Sequence, residues 1–329
     1  MINVAVIGTG NMGRHHVRVY SEMESCNLVS IAEKDEKTGQ ELAKKNGCRY
    51  YNDYREMLEK ESIDAVSIVV PTTYHKEIAL ECMKKVKAIL IEKPIAMNLE
   101  DAHQIVDKAK EHGTRLMIGH IERFNPAVRK LKEIINSGGI GEITSLNCKR
   151  VGLFPPRMQD ANVVLDLAVH DIDVCSFLLG KTPKEVFSVS GRAINSSRED
   201  YADIFIKYEG SQSLFIQVNW LTPVKIRGLQ ITGTKGYVEL NYVTQELILY
   251  KTFYENGESN FEKFVKETTP KKEIIQIEKR EPLKEELKHF LSFAHGEECL
   301  SSGEDGLDAL RVALSAIESN KENKVIKIG

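Results

Sequence analysis

Ile2-Asn3-Val4-Ala5-Val6-Ile7-Gly8-Thr9-Gly10-Asn11-Met12-Gly13 is the stretch that decides the fold of this chain. A short apolar run enters three glycines at the spacing G-x-G-x-x-G, and from Met12 to Met23 the apolar positions take a helical period. Between a strand and a helix, such glycines allow a tight turn, let backbone amides approach a pyrophosphate and permit close helix packing. Glu33 ends the next apolar run, at the point where a carboxylate would accept the hydroxyls of an adenosine ribose. An acid there repels a ribose phosphate and favours NAD over NADP. Lys34 beside it works the other way, because a neighbouring cation accommodates a phosphate.

The alternation continues outward from that unit. Residues 36–46 read as a helix closed by Gly47, 53–59 as a helix, 65–70 as a strand, 73–85 as a helix and 88–91 as a strand. Asn98, an N-cap with Asp101 three residues on, opens a helix that ends at Gly113, and 116–118 makes a further strand. Strands made almost wholly of Val, Ile and Leu, alternating with helices, predict an α/β domain over residues 1–120. Its core is a doubly wound parallel sheet covered by helices on both faces.

Beyond His120 the texture changes. Helices are expected at 126–136 and 166–179. Strands follow at 185–189, 202–208, 214–221, 226–232, 237–240, 246–250 and 273–277, with one more at 143–150. Helices at 283–294 and 305–319 close the chain. Leu214, Ile216, Val218 and Trp220 alternate with Phe215, Gln217 and Asn219, the period of an antiparallel strand with one buried face. Residues 121–329 therefore read as an α+β domain on a large, mainly antiparallel open sheet.

Composition agrees with this division. A chain of 329 residues, 42% hydrophobic and 28% charged, suits about two globular domains. Its net charge of −3, with basic residues dispersed, offers no surface for nucleic acid or an anionic membrane. Cys26, Cys48, Cys82, Cys148, Cys175 and Cys299 lie far apart with no C-x-x-C pair, so reduced thiols are expected and no metal site. The first strand begins at Ile2, which leaves no room for a signal peptide. No apolar run approaches the roughly 18 residues of a membrane span, and a cytoplasmic protein is expected.

Two stretches carry chemistry. Glu92-Lys93-Pro94 sets two charges directly after Ala88-Ile89-Leu90-Ile91 and stops them with a proline. Packing gives no reason for charges there, whereas the carboxyl end of a parallel strand is where ligands sit in an open α/β sheet. Lys93 is therefore a candidate catalytic group. In Asp166-Leu167-Ala168-Val169-His170-Asp171-Ile172-Asp173, helical spacing sets Asp166, His170 and Asp173 on one face, with Leu167, Ile172, Val174 and Leu178 as apolar cover. The plain alternatives are Asp166 as a cap or surface group and His170 as a structural histidine.

Together with Pro71-Thr72-Thr73-Tyr74-His75, these stretches resemble the Gfo/Idh/MocA oxidoreductases in order and spacing over nearly the whole chain. The resemblance implies an N-terminal Rossmann domain and a C-terminal α/β domain whose open sheet mediates homodimers or homotetramers. It also implies oxidation or reduction of a sugar-like hydroxyl with a nicotinamide cofactor. Carried over by position, Lys93, Asp166 and His170 match the family's catalytic residues. Pro71, Thr72, His75 and Glu92 match positions that line the cofactor. They join Gly8, Thr9, Gly10, Asn11, Met12, Gly13, Glu33 and Lys93 as the expected NAD-binding set.

Ile121-Glu122-Arg123-Phe124-Asn125-Pro126, Gly152-Leu153-Phe154-Pro155-Pro156-Arg157 and the stretch from Asp166 to Asp173 are similar to the branch of the family that oxidises the 3-hydroxyl of UDP-N-acetylglucosamine. That makes Arg123, Asn125 and Arg157 candidate substrate residues. The two arginines read either as surface salt-bridging groups or as guanidinium groups that grip a diphosphate in bidentate fashion. Hydride removal from a carbinol carbon requires the hydroxyl proton to leave. His170 is the expected base, since an imidazole's ordinary pKa is about 6.5. Lys93 is the expected donor to the developing alkoxide, and Asp166 orients the imidazole or holds a substrate hydroxyl. The reverse assignment, with Lys93 as base, stays open. The rival readings are a family dehydrogenase acting on a free sugar or inositol, a non-catalytic NAD(P)-binding regulatory protein, and a reductase of a non-sugar such as a tetrapyrrole.

Overall fold

The computed structural model describes residues 1–153, 161–194, 197–251 and 271–329, which fall into two compact units. In the first, β1 (Ile2–Ile7), β2 (Cys26–Ala32), β3 (Arg49–Tyr51), β4 (Ala65–Ile68), β5 (Ala88–Glu92) and β6 (Arg115–Gly119) form a parallel sheet in the order β3-β2-β1-β4-β5-β6. Chain order reverses between β1 and β4, the point at which such sheets bind ligands. The register is level there, because Ala32, Ile7, Ile68, Ile91 and Ile118 make one row across five strands. Glu33, Gly8 and Glu92-Lys93 therefore emerge together at the carboxyl edge.

All residues of β4 and β5 are buried. That is why both read as unbroken apolar runs, each covered on two faces. The polar member of β4, Ser67, meets the Tyr20 hydroxyl at 2.8 Å, and β5 is apolar up to its last residue, Glu92. Around the sheet run α1 (Gly13–Ser21), α2 (Glu36–Asn46), α3 (Tyr54–Lys60), α4 (His75–Met83) and α5 (Leu99–His112). The cap reading of α5 holds: Asn98 Oδ1 accepts the Asp101 amide at 2.8 Å, and Gly113 closes the helix at φ 66°. Before α4 a 3₁₀ turn occupies Thr72–Tyr74, so the helix starts later than its apolar period suggested. Strand β3 went unforeseen, since three edge residues, none fully buried, carry no apolar pattern.

Residues 281–311 belong to this unit with residues 1–124, which differs from the expected division after 120. The cause is apolar. Leu283, Leu287, Phe290 and Leu291 of α8 (Pro282–Ala294) are at most 4% exposed and join Val17, Tyr20 and Phe124 in one cluster. A stripe of four large residues at helical spacing has to be covered, and α1 with Phe124 covers it.

The second unit holds residues 125–280 and 312–329. Its strands are β7 (Ile143–Leu153), β8 (Pro183–Gly191), β9 (Tyr201–Tyr208), β10 (Ser213–Asn219), β11 (Leu221–Gly233), β12 (Gly236–Asn241), β13 (Glu246–Lys251), β14 (Lys271–Ile275) and β15 (Ile326–Lys327). They form a sheet in the order β14-β13-β12-β11-β7-β10-β9-β8-β15, in which β7 and β10 pair parallel and all other neighbours antiparallel. One face is buried by α6 (Pro126–Asn136), α7 (Val169–Leu179) and the later residues of α9 (Gly303–Glu322). The expected alternation of β10 is present: Leu214, Ile216 and Val218 are at most 1% exposed while Phe215 is 39% exposed. All six cysteines are unpaired. Among the described residues, no helix is long and apolar enough to cross a membrane.

Candidate active site

The glycine turn after β1 is shaped by three different demands. Gly8 sits at φ +89°, and a Cβ there would come within 2.7 Å of the Val69 carbonyl oxygen. At Gly13 a Cβ would stand 2.0 Å from the Gly8 carbonyl oxygen, so this glycine lets α1 start against the turn. Gly10 has nothing within 4 Å of its would-be Cβ and is exposed with Asn11. The first and third glycines thus serve packing, and the second leaves backbone open to a pyrophosphate at the helix N-terminus. Met12, by contrast, turns inward against the core cluster.

Glu33 is held by this turn. Its Oε2 accepts from the Thr9 amide at 2.7 Å and the Thr9 hydroxyl at 2.8 Å, and its Oε1 from the Asp35 amide at 3.1 Å. The donors fix the carboxylate at the strand end, and an ionised carboxylate keeps lone pairs for further donors. Lys34 is exposed and stands over the Tyr74 ring, 5.3 Å from its centroid.

Around Lys93 the chain is braced from below. Lys93 itself is partly exposed and its bond to Pro94 is cis. His75 is fully buried: Nδ1 lies 3.1 Å from the Pro94 carbonyl oxygen and Nε2 3.0 Å from that of Val70. It therefore ties the loop after β4 to the loop after β5 rather than presenting its ring at the surface. Burial pushes its pKa below the ordinary histidine value, against the pull of these carbonyls. Glu92 is likewise buried at 7% exposure, with Oε1 3.1 Å from His16 Nε2. Burial alone would raise its pKa, but the hydrogen bond and charge of His16, with Lys93, hold it below the carboxylate range. Of the remaining expected cofactor positions, Thr72 is buried and Pro71 exposed. The structure thus puts His75 and Glu92 under the carboxyl edge, as supports of the groups on it.

In the second unit Asp166 lies in a π-helical turn, Val164–Ala168, that runs into α7. The Val169 amide reaches the Val164 carbonyl, five residues back, so one extra residue enters the winding. Asp166 and His170 are partly exposed, while Asp171 and Asp173 are at most 2% exposed. Asp173, three residues after His170 within the regular part of α7, is thus the buried member of that expected set. Asp171 is clamped by Arg150 of β7: Nε to Oδ2 and Nη2 to Oδ1, both 2.9 Å. The guanidinium also lies over the Tyr242 ring at 5.0 Å. This buried pair fixes the first turn of α7, and His170 with it.

The substrate expectations fare differently. Arg123 is 5% exposed, donates to the Leu300 carbonyl at 2.7 Å and pairs with Asp305 Oδ1 at 3.0 Å. It is a buried brace of the first unit, neither a surface salt bridge nor a diphosphate grip. Asn125, 1% exposed, caps α6 by accepting the Ala127 amide at 3.1 Å and donates to the Tyr242 carbonyl at 3.0 Å. Both ends of its amide are engaged in structure. Asn125→Ala is thus expected to destabilise the fold by about 1–2 kcal/mol in urea denaturation and leave substrate KM unchanged. A raised KM without loss of stability would return Asn125 to the substrate. Arg157 lies outside the described residues.

Residues 2–120 match the oxidoreductase family with an NAD-binding Rossmann fold, and residues 128–239 match the GFO/IDH/MocA C-terminal domain. The chain belongs to the Gfo/Idh/MocA oxidoreductases. It is 28% identical over 249 residues to a UDP-N-acetylglucosamine 3-dehydrogenase of Acidithiobacillus ferrooxidans, covering 76% of this chain and 77% of that one. A myo-inositol 2-dehydrogenase of Thermotoga maritima is 26% identical over 340 residues, 99% of this chain and 98% of its own. The solved structure of UDP-N-acetylglucosamine 3-dehydrogenase GnnA from Acidithiobacillus ferrooxidans superposes with a TM-score of 0.85 at 25% identity over 98% of each chain.

Proposed function

We propose that this oxidoreductase uses NAD to oxidise a sugar hydroxyl, and that its substrate is the 3-hydroxyl of UDP-N-acetylglucosamine. The observation that carries the chemistry is Lys93 at the same sheet edge as the open Gly10 backbone and Glu33. The substrate is supported by the curated relative and solved structure that bear that activity. Since Arg123 is committed elsewhere, other groups must meet the diphosphate.

NAD, when bound, accepts the hydride from the carbinol carbon. Gly8 to Gly13 would receive the pyrophosphate and Glu33 the adenosine ribose, and Glu33 favours the ribose without a phosphate. His170 takes the hydroxyl proton, and Lys93 donates a hydrogen bond to the oxygen as negative charge grows on it. Asp166 orients the imidazole. The carbinol thereby loses one proton and one hydride and leaves as the ketone.

The test is incubation with UDP-N-acetylglucosamine and NAD or NADP, with and without 2-oxoglutarate, followed by mass spectrometry. The 3-keto nucleotide sugar is expected with NAD. Its absence in every arm removes the nucleotide-sugar reading, and NADH formation from myo-inositol instead would favour a free polyol, in line with the full-length Thermotoga maritima relative. We also propose a homo-oligomer formed through the outer sheet face, where Phe205 and Phe215 are paired across β9 and β10 and are 48% and 39% exposed. A cytoplasmic location fits six unpaired thiols.

A further inference from the structure

His16, Glu92 and Glu286 form a cluster inside the first unit that links the glycine turn to the lysine. His16 lies on α1, Glu92 ends β5, and Glu286 comes from α8. Their exposures are 0%, 7% and 0%, and one donor atom from each lies within 4.8 Å of the others. Glu92 is used at both ends: Oε1 meets His16 Nε2 at 3.1 Å, and Oε2 accepts the Lys93 amide at 3.3 Å. On β6 next to it stands Gly119, where a Cβ would come within 3.0 Å of the Glu92 carboxyl carbon. The carboxylate is therefore confined on three sides.

We propose that His16 is a positioning residue for Lys93: it holds the Glu92 carboxylate, and through it the Lys93 backbone, from the helix that opens at the glycine turn. This rests on the reading of Lys93 as the donor to the alkoxide. Because a carboxylate only accepts, Nε2 of His16 carries the N–H, and Nδ1 is a buried nitrogen without a hydrogen-bond partner. That arrangement argues against a metal ion in the cluster, since a ligating histidine gives its second N–H to an oxygen. The consequence is mechanical. A shift of α1 at the pyrophosphate end is passed to the lysine through two hydrogen bonds.

The experiment compares full-length His16→Leu, His16→Gln and Glu92→Gln, alone and with Lys93→Met, using UDP-N-acetylglucosamine and NAD, thermal melting and amide hydrogen exchange. His16→Leu is expected to lower kcat about 10–100-fold while KM for NAD changes little. His16→Gln, which keeps a donor, recovers most of that loss. Exchange of the Lys93 amide, which needs no substrate, is expected to quicken in His16→Leu and Glu92→Gln. In the Lys93→Met background His16→Leu adds little, because the group it positions is gone. An unchanged Lys93 amide, or a loss confined to KM for NAD, overturns the proposal. So does a divalent ion carried stoichiometrically by the wild type and lost in His16→Leu. Lys93→Met turning over at the wild-type rate would instead remove the lysine reading on which the proposal stands.

Discussion

Lys93→Met is expected to lower kcat about 10²–10³-fold, the usual consequence of removing one preorganised donor to a developing oxyanion. Methionine preserves the length and apolar stem of the side chain and deletes only the ammonium group, so NAD affinity measured by fluorescence titration should hardly move. The glycine turn and Glu33, which would carry that affinity, are separate in sequence and make their own contacts. His170→Asn is the companion. If histidine is the base, its pH-rate profile loses the acid limb and kcat falls, whereas near-wild-type turnover removes histidine from that role. A Lys93→Met enzyme at full speed would move the chemistry away from this sheet edge.

Asp171→Ala should destabilise the second unit by about 3–5 kcal/mol, because it strips the bidentate partner from a guanidinium that stays buried. Arg150 is 4% exposed and Asp171 0%, so water cannot readily replace the lost carboxylate. Urea denaturation reads the loss. Replacing both partners, Arg150→Met with Asp171→Leu, is expected to recover most of it, since an apolar pair of similar volume avoids the desolvation of two charges. If the double variant were as unstable as the single, the clamp would matter through something other than its charges. Because Asp171 follows His170 directly, the single variant should also turn over more slowly than its folded fraction explains.

How much of this was legible depended on how local the cause was. The glycine turn, the Asn98 cap, the apolar strands β4 and β5 and the alternation of β10 all express periods of two to four residues, and the structure has them where the sequence put them. What failed had a distant partner. Nothing in the sequence near Arg123 shows that it is occupied, because Asp305 and Leu300, its partners, lie far along the chain. Asn125 is the exception, since an Asn before Pro126 at a helix start is a local N-cap signal that matches its place in the structure. His16 stands on the buried side of an amphipathic helix, where a histidine asks for a partner, but the partner, Glu92, lies 76 residues away. The π turn that carries Asp166 leaves no local mark in the sequence around it.

The return of residues 281–311 to the first unit has a bearing on how the protein is made. A ribosome that has added Phe124 has synthesised every strand of the parallel sheet, yet the helix that covers Val17, Tyr20 and Phe124 is still unwritten. At about 5–20 residues per second, the intervening stretch takes on the order of 10–30 s to translate. For that interval the nascent sheet carries an uncovered apolar flank, which is a natural site for chaperone capture. The unit matures only after most of the other one has emerged, so the order of completion runs against the order of synthesis.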